Sequence, residues 1–400
     1  MNRRTFLRRA TPLSAAIAVA GCTTPDGGAD DRNASDGARE NETERDGDAG
    51  VGTAPIPMLE DPPDAVYRPG HRTAMRMLEP IDAGAYRLAP MLSYPHPFWL
   101  VTGSDRELVE PTADRGIHLM LVVWDPETGV VLPGNVEPRA TITGADGWTE
   151  TRPLWPMLSQ EMGIHFGDNV TLPGDGRYTV SVDLPPLSTR RTGAFAERFD
   201  DGASATFDFT YDQAFREAVV DGIELLERDR WGTRGALEPM GNGDDGNEGM
   251  QSEIPYSALP PAQDYPGTPL REPDTESQDG LAQSGDAAFV ITLLESGSRL
   301  AGGDDRYLLV SPRTPYNRVP LTNMSLRVVV ERDGSTVVDR DLVGTLDDAV
   351  GFHYGRTVGT VRPGDSVTVT VESPPQLARH QGYETAFFGM EPLEFVVPTA

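Results

Sequence analysis

Residues 157–186 read MLSQEMGIHFGDNVTLPGDGRYTVSVDLPP. This segment contains a methionine and a histidine, a Pro-Gly-Asp turn, an alternating stretch and a Pro-Pro stop. In the alternating stretch Tyr178, Val180 and Val182 fall on one face, as expected for a half-buried β-strand. A second version of the segment occurs at residues 350–375. The segment therefore predicts β-structure and divides the chain into two related halves.

The two copies agree in order and in spacing. GIHFG at residues 163–167 corresponds to GFHYG at residues 351–355, and both copies continue with Pro-Gly-Asp, an alternating strand and Pro-Pro. Five residues beyond the second proline stand Arg191 in the first copy and His380 in the second. Agreement over such an ordered set indicates an internal duplication. It places two of the six histidines, His165 and His353, at equivalent points.

The remaining pattern predicts an all-β fold. Short alternating runs separated by Gly, Pro and Asp turns are typical of immunoglobulin-like antiparallel β-sandwiches. One stretch differs, because apolar residues recur at three- and four-residue steps after Gln213 and predict a helix. The predicted order is a first sandwich domain at 65–212, a helix at 213–231, a Gly/Pro-rich linker at 232–285 and a second sandwich domain at 286–400.

The composition is strongly acidic. The formal net charge is −28, and all 34 basic residues are arginine. Nucleic acid is excluded as a partner, since neutralising phosphates requires a basic surface. An acidic surface of this kind keeps a protein solvated in concentrated salt, which predicts a halophilic, archaeal source. The single cysteine excludes an intrachain disulfide, and no apolar run is long enough to predict a membrane-spanning helix.

The N-terminus has the features of an export signal. Two arginine pairs near the start precede an apolar run and then Cys22, in the order of a twin-arginine lipoprotein signal. We therefore predict a signal peptide at 1–21, lipid on Cys22 that anchors the protein to the outer face of the cell membrane, and a disordered acidic tether at 22–64. The alternative is an apolar N-terminal helix with an incidental cysteine.

The segment around Met157 resembles a known family. Trp155-Pro156-Met157, GIHFGDN at 163–169 and Gly176-Arg177-Tyr178, with Arg379-His380 in the second copy, are similar to the periplasmic high-affinity iron-transport β-sandwich proteins. Members of that family work beside iron permeases and bind copper or iron. The resemblance implies that the methionine and the histidines help to bind iron or copper, and that a metal permease is a partner.

The chain also departs from the family pattern. Met157 and His165 stand one residue further apart than in the family, and Glu161-Met162 replaces the aspartate that precedes the glycine in the family. Arg191 stands where the first half should have its second histidine, and the second half lacks the methionine. Neither half therefore contains a complete ligand set of its own.

Four residues are the main candidate metal ligands. Met157 pairs with His165 in the first half and His353 with His380 in the second, and weaker candidates are Glu384, His96 and His118. Thioether and imidazole suit copper, whereas imidazole with carboxylate suits ferrous iron. The ordinary alternatives are a methionine in the core and histidines that cap turns. A composite site with ligands from both halves is a further alternative.

No catalytic motif is present. The sequence has no Gly-x-Ser-x-Gly elbow, no His-Glu-x-x-His and no phosphate-binding glycine loop, so we do not expect an enzyme. The predicted function is an extracytoplasmic, lipid-anchored protein that binds iron or copper as an accessory to metal uptake. The alternative is a non-catalytic structural or protein-interaction lipoprotein of the cell surface that holds no metal.

Overall fold

The computed structural model describes residues 56–112, 115–240, 254–256, 265–270, 281–359 and 361–399. The predicted signal peptide, Cys22 and most of the predicted tether lie outside these residues. The end of the predicted tether, residues 56–64, is described. It contacts the folded body, since the Thr385 hydroxyl donates to the Pro63 carbonyl at 2.8 Å.

Strands account for most of the regular structure, in agreement with the predicted all-β fold. The first half forms β1 (His71–Arg72), β2 (Met75–Met77), β3 (Ile81–Ala83), β4 (Tyr86–Ser93), β5 (Phe98–Thr102), β6 (Asp105–Val109), β7 (Gly116–Trp124), β8 (Arg139–Gly144), β9 (Thr149–Pro153), β10 (Trp155–Ser159), β11 (Gly163–Thr171), β12 (Gly176–Leu184), β13 (Arg190–Thr192) and β14 (Ala203–Tyr211). A 3-10 turn at Gly193–Phe195 follows β13.

The second half repeats this organisation. Between the halves lie α1 (Gln213–Asp221), β15 (Glu224–Leu225) and a 3-10 turn at Arg228–Arg230. The second half then forms β16 (Thr268–Pro269), β17 (Ala282–Ser284), β18 (Ala287–Leu294), β19 (Arg306–Arg313), β20 (Ser325–Arg332), β21 (Ser335–Asp341), β22 (Val343–Asp347), β23 (Gly351–Gly359), β24 (Ser366–Ser373), β25 (Ala378–Arg379) and β26 (Leu393–Val396). β16 and β17 both fall within the predicted linker.

Each half is a β-sandwich of one large and one small sheet. In the first, the sheet of order β2-β4-β7-β11-β10-β25-β5-β6 faces the sheet β14-β12-β8-β9. In the second, β13-β22-β23-β19-β18-β16 faces β21-β20-β24-β26. The apolar faces of these sheets share one hydrophobic cluster, which includes Leu119 and Val180 in the first half and Leu308 and Val369 in the second. Burial of alternating apolar residues accounts for the period-2 pattern of the sequence.

The two halves exchange strands. β25, from the second half, pairs in parallel with β10 of the first, so that Met157 lies beside Ala378. β13, from the first half, pairs in parallel with β22 of the second, so that Arg190 lies beside Thr345. Both exchanged strands follow the Pro-Pro stop. Each half therefore completes the large sheet of the other.

The pairing register corrects the alignment of the two copies by one residue. Leu158 and Leu346 occupy equivalent positions on β10 and β22, and they pair with Arg379 and Arg191 respectively. Arg191 therefore corresponds to Arg379, and Thr192 is the residue that corresponds to His380. The sequence repeat had matched Arg191 with His380.

Two equivalent arginines hold the exchanged strands. Arg379 is fully buried and donates to the Pro375 carbonyl, four residues earlier, at 3.1 Å. Arg191 donates in the same way to the Leu187 carbonyl at 3.0 Å. Arg379 also donates to the carbonyls of Tyr383 and Ala386. Hydrogen bonds from a charged donor to carbonyls of the same turn fix the path of the chain.

The helix is shorter than predicted. α1 begins at Gln213, where the Asp212 side chain accepts from the Phe215 N–H at 2.7 Å, and it ends at Asp221. A Cβ at Gly222, the next residue, would lie 2.8 Å from Ala74 Cβ, so the turn passes too close to its neighbour for a side chain. Beyond Gly222 the chain pairs β15 with β1 instead of continuing as a helix. No helix in the described residues has the length and hydropathy needed to span a bilayer.

Candidate metal centre

Four histidines and one methionine converge within the large sheet of the first half. His118 lies on β7, Met157 on β10 and His165 on β11, and these three side chains are fully buried. His96 lies in the segment between β4 and β5 and is 6% exposed. His380 directly follows β25, and its N–H continues the pairing with β10 by donating to the Leu158 carbonyl at 3.2 Å. Strand exchange therefore brings His380 from the second half into the first.

The imidazoles lie within ligand distance of one another. Nε2 of His165 is 3.2 Å from Nε2 of His380. One ring nitrogen from each of His96, His118 and His380 lies within 4.8 Å of the others. The His96 and His118 rings are also in contact, with centroids 4.2 Å apart. Nitrogen ligands at ~2.0–2.1 Å from a tetrahedral metal stand about 3.3 Å apart. The nitrogens of His165 and His380 have this spacing, and those of His96, His118 and His380 would have to move closer together to share one ion.

Hydrogen bonds fix the tautomer of three of these rings. Nδ1 of His165 lies 3.1 Å from the Gly163 carbonyl and Nδ1 of His96 lies 3.3 Å from the Pro97 carbonyl. Because a carbonyl only accepts, both Nδ1 atoms carry the proton. His118 Nδ1 lies 3.0 Å from Asn169 Oδ1. The Nε2 lone pairs of these rings are consequently the free ligand atoms.

Asn169 orients two of the histidines. Its Nδ2 donates to the His96 carbonyl at 2.9 Å, which assigns the amide orientation and leaves Oδ1 as an acceptor. Oδ1 then accepts from His118 Nδ1 and from the His96 N–H, at 3.0 and 3.3 Å. This is the arrangement by which a polar neighbour holds a metal-ligating imidazole in place.

The imidazoles are neutral near pH 7. Burial lowers the pKa of His96 and of His165 to about 4. Burial, followed by the influence of the neighbouring histidines, holds the pKa of His118 and of His380 well below the ordinary value of imidazole. A transition metal binds the neutral ring, so these groups need not lose a proton to act as ligands.

The ring nitrogens of the centre show that the residues fit a cation. Nε2 of His118 is buried and has no hydrogen-bond partner among the described residues, which costs ~1–3 kcal/mol if it stays unpaired. The Nε2 atoms of His165 and His380 lie 3.2 Å apart, so without a metal the Nε2–H of His380 donates to the Nε2 lone pair of His165. A bound metal ion would pair with His118 Nε2 and replace the hydrogen bond between His165 and His380.

Met157 completes the donor set. A Cβ placed on Gly167 would lie 3.2 Å from Met157 Sδ and 3.3 Å from His118 Nε2. The thioether and the imidazole thus face the same small space, and glycine at position 167 leaves that space open. The arrangement offers one sulfur and up to four nitrogen ligands.

The equivalent position in the second half has a different chemistry. By the pairing register, Tyr307, Thr345 and Thr192 replace His118, Met157 and His380, while His353 corresponds to His165. Tyr307 Oη lies 3.1 Å from His353 Nε2, and Arg190 donates to Thr345 Oγ1 at 3.4 Å. The Tyr307 hydroxyl and the Gly351 carbonyl therefore satisfy both ring nitrogens of His353, and Arg190 bonds the neighbouring Thr345.

The predicted ligands thus separate into two groups. Met157, His165 and His380 meet at one centre, together with the weaker candidates His96 and His118. The sequence predicts that His353 pairs with His380. The structure instead places His353 in the other sandwich, because β25 has crossed to the first half. The Glu384 carboxylate accepts from the Tyr67 hydroxyl and from the Gly382 N–H, so it holds the chain after His380 and is not part of the centre.

Sequence reasoning missed Asn169 and ranked His118 low. Asn169 had no signal beyond its place four residues after His165. His118 had one, since it is the polar residue in a nine-residue strand that is otherwise apolar or glycine and is buried throughout. A histidine in such a strand needs a partner for both ring nitrogens.

We expect Asn169→Ala to weaken metal binding by about 10- to 100-fold, because it frees the His118 ring and the segment that carries His96. The measurement is a titration of the purified chain with Cu(II), beside thermal unfolding. A matched control is Asn135→Ala, another half-buried asparagine whose amide bonds Thr189 away from the centre. Equal affinity in both variants would show that Asn169 does not position the ligands.

Comparison with known proteins gives limited similarity. A family model described as a domain of unknown function (DUF7350) matches residues 263–396, and no curated protein matches the chain. Among solved structures, a copper-bound variant of FetP from uropathogenic Escherichia coli strain F11 is 19% identical, with a TM-score of 0.28, over 34% of this chain and 92% of that one. The "as isolated" FetP of the same strain is 21% identical, with a TM-score of 0.26, over 35% of this chain and 95% of that one.

Proposed function

We propose that this protein binds a transition-metal ion, copper in the first place, at the centre formed by Met157, His96, His118, His165 and His380. The observation that carries the proposal is the convergence of imidazoles from both halves, with the Nε2 atoms of His165 and His380 3.2 Å apart and the buried Nε2 of His118 without a partner among the described residues. Core histidines that serve only packing would each have a partner for both nitrogens.

The donor set favours copper over iron. Imidazole nitrogen with a thioether is a combination that copper accepts in both oxidation states, whereas ferrous iron prefers at least one carboxylate. The nearest acidic residue on β11, Asp168, is bonded to Arg152 at 3.0 Å and to its own neighbour's N–H. Iron is the second candidate, supported by the Glu161 carboxylate in the pocket beside the centre.

The cellular role follows from the sequence features. An export signal ahead of Cys22 supports a protein held by lipid on the outer face of the membrane, and the partly exposed His380 gives a carrier access to the bound ion. We propose that the protein binds and delivers metal to a permease, without catalysis. The alternative of a surface lipoprotein that holds no metal leaves the buried, unpaired Nε2 of His118 unexplained.

The test is a metal titration of the full chain with Cys22→Ser, which removes the one thiol. Calorimetry in high salt with Cu(II), Fe(II) and Zn(II) is expected to show one tight equivalent of Cu(II), with weaker binding of the others. Paramagnetic resonance of the Cu(II) form should show splitting from imidazole nitrogens. Absence of a stoichiometric Cu(II) site would refute the proposal, and tighter Fe(II) than Cu(II) would replace copper by iron.

A further inference from the structure

A small pocket adjoins the metal centre on the side of β1 and β2. It has a volume of about 50 Å³, and His96 and His380 of the centre form one of its walls. The other walls include three thioethers, an imidazole and a carboxylate, from Met75, Met120, Met162, His71 and Glu161. The space is large enough for an ion or a water molecule.

The histidine of this pocket has an unused ring nitrogen. His71 is 7% exposed, and its Nδ1 is buried without a hydrogen-bond partner among the described residues. The pairing of β1 with β15 fixes the backbone of His71 opposite Leu225. An unpaired buried nitrogen that is held in place and lines a cavity indicates a ligand in that cavity.

The carboxylate of the pocket is weakly engaged. Glu161 accepts from the Arg72 guanidinium at 3.4 Å and from the Thr73 N–H at 3.3 Å. Both contacts are at the long end for hydrogen bonds, especially for a charged acceptor. The oxygens therefore keep capacity for a cation.

The methionines are concentrated here beyond the needs of packing. Six of the twelve methionines of the chain belong to one cluster, namely Met75, Met77, Met91, Met120, Met162 and Met240. The corresponding positions of the second half contain no methionine. By the pairing register, Leu309 and Thr292 correspond to Met120 and Met91, and Val350 corresponds to Met162. The fold does not require thioethers at these positions.

We propose that this thioether pocket is a second metal site, which binds a soft monovalent cation, Cu(I), beside the histidine centre. Thioether sulfur prefers Cu(I), and imidazole from His71 completes a low-coordinate site that the compact pocket can surround. The inference extends the proposed function, because the two sites share the wall formed by His96 and His380. It does not require the centre itself to be filled.

The test uses Ag(I), a monovalent and redox-stable stand-in for Cu(I), in chloride-free nitrate buffer. The protein is the full chain with Cys22→Ser, so that no thiol competes. Wild type is expected to take up two equivalents of Ag(I). The triple variant Met75→Leu/Met120→Leu/Met162→Leu has side chains of similar volume without sulfur. It is expected to bind one of the two Ag(I) ions at least 10-fold more weakly than wild type and to bind Cu(II) as wild type does. Met324→Leu/Met390→Leu in the second half is the matched control.

A second variant separates the two sites. His118→Ala/His165→Ala changes two histidines of the centre that do not line the pocket, and it is expected to lose Cu(II) but to retain one Ag(I), with sulfur neighbours visible by X-ray absorption. The second site does not exist if the triple leucine variant binds two Ag(I) as tightly as wild type. It also does not exist if wild type binds no Ag(I) beyond the one lost with His118 and His165. A chain that binds Ag(I) in the pocket but no Cu(II) would refute the histidine centre and leave this site standing.

Discussion

His380→Gln is expected to lower the affinity for Cu(II) by about 100-fold or more, because it removes the ligand that the second half supplies. Loss of a residue that hydrogen-bonds to a metal ligand already lowers metal affinity by about 10- to 100-fold, and loss of the ligand itself lowers it at least as much. The remaining nitrogens of His96, His118 and His165 would keep a weakened site. Competition titration against a chelator of known affinity measures the change.

His353→Gln is the matched control for this experiment. His353 is fully buried, and it shares with the ligand His165 the Gly-x-His pattern and the Nδ1 contact, here at 3.2 Å to the Gly351 carbonyl. It faces Tyr307 in the second half and should leave Cu(II) affinity within about 3-fold of wild type. Equal losses in the two variants would contradict a single centre completed by strand exchange and would favour separate sites in the two halves.

The strand exchange explains which parts of the site could be read from the sequence. Met157 and His165 form a register pair on adjacent antiparallel strands, β10 and β11, so their proximity follows from local hairpin geometry. His380 reaches them only because β25 crosses to the first half, a contact over more than two hundred residues. Period-2 patterning determines which face a residue occupies, but it does not determine which strands become neighbours.

The same limit applies to the duplication. The sequence repeat rests on Gly, His and Pro-Pro spacing, and each copy lies in a sandwich of one large and one small sheet. The match of Arg191 with His380 was wrong by one residue, because Arg191 and Arg379 both anchor their strands to a carbonyl four residues earlier. Sequence spacing counted from the prolines could not distinguish an anchoring arginine from a ligand position.

Divergence between the halves also assigns roles to the residues. Where the first half has His118, Met157 and His380, the second has Tyr307, Thr345 and Thr192 at the corresponding positions of the pairing register. The fold therefore tolerates hydroxyl-bearing residues at these positions. Only the first half has thioether and imidazole side chains at all three positions. This pattern is expected when only the first half binds metal.

The free energy of unfolding of the metal-free protein is expected to fall steeply between about pH 6.5 and pH 4. Burial lowers the pKa of all six histidines, to about 4 for His71, His96, His165 and His353. The unfolded chain binds protons near pH 6.5 while the folded chain does not, so each histidine contributes ~1.4 kcal/mol per pH unit within this window. That stability is complete above the unfolded pKa and is lost as the pH falls towards the folded pKa.

Buried carboxyl groups act in the opposite sense but are fewer. Burial raises the pKa of Glu161 to about 7, and it also raises the pKa of Asp168, Asp286 and Glu384. These groups bind protons in the folded chain first, and so they favour the folded state as the pH falls. Six histidines outweigh them. His353→Gln should reduce the slope by about 1.4 kcal/mol per pH unit, which isolates the contribution of one histidine.

Copper should move the acid transition to lower pH. The metal binds neutral imidazole and competes with protons, and at a free concentration 1,000 times its Kd it adds ~4 kcal/mol to the free energy of unfolding. Because the free energy of unfolding changes by several kcal/mol per pH unit, the stabilisation by copper lowers the midpoint of acid unfolding by about 0.5 pH unit or more. Denaturant unfolding from pH 7 to pH 4 in high salt, with and without Cu(II), measures both effects.

A free energy of unfolding that does not change over this pH range would contradict the burial of neutral histidines. A midpoint that Cu(II) shifts equally in wild type and in His165→Ala/His380→Ala would show that the added stability does not come from the histidine centre.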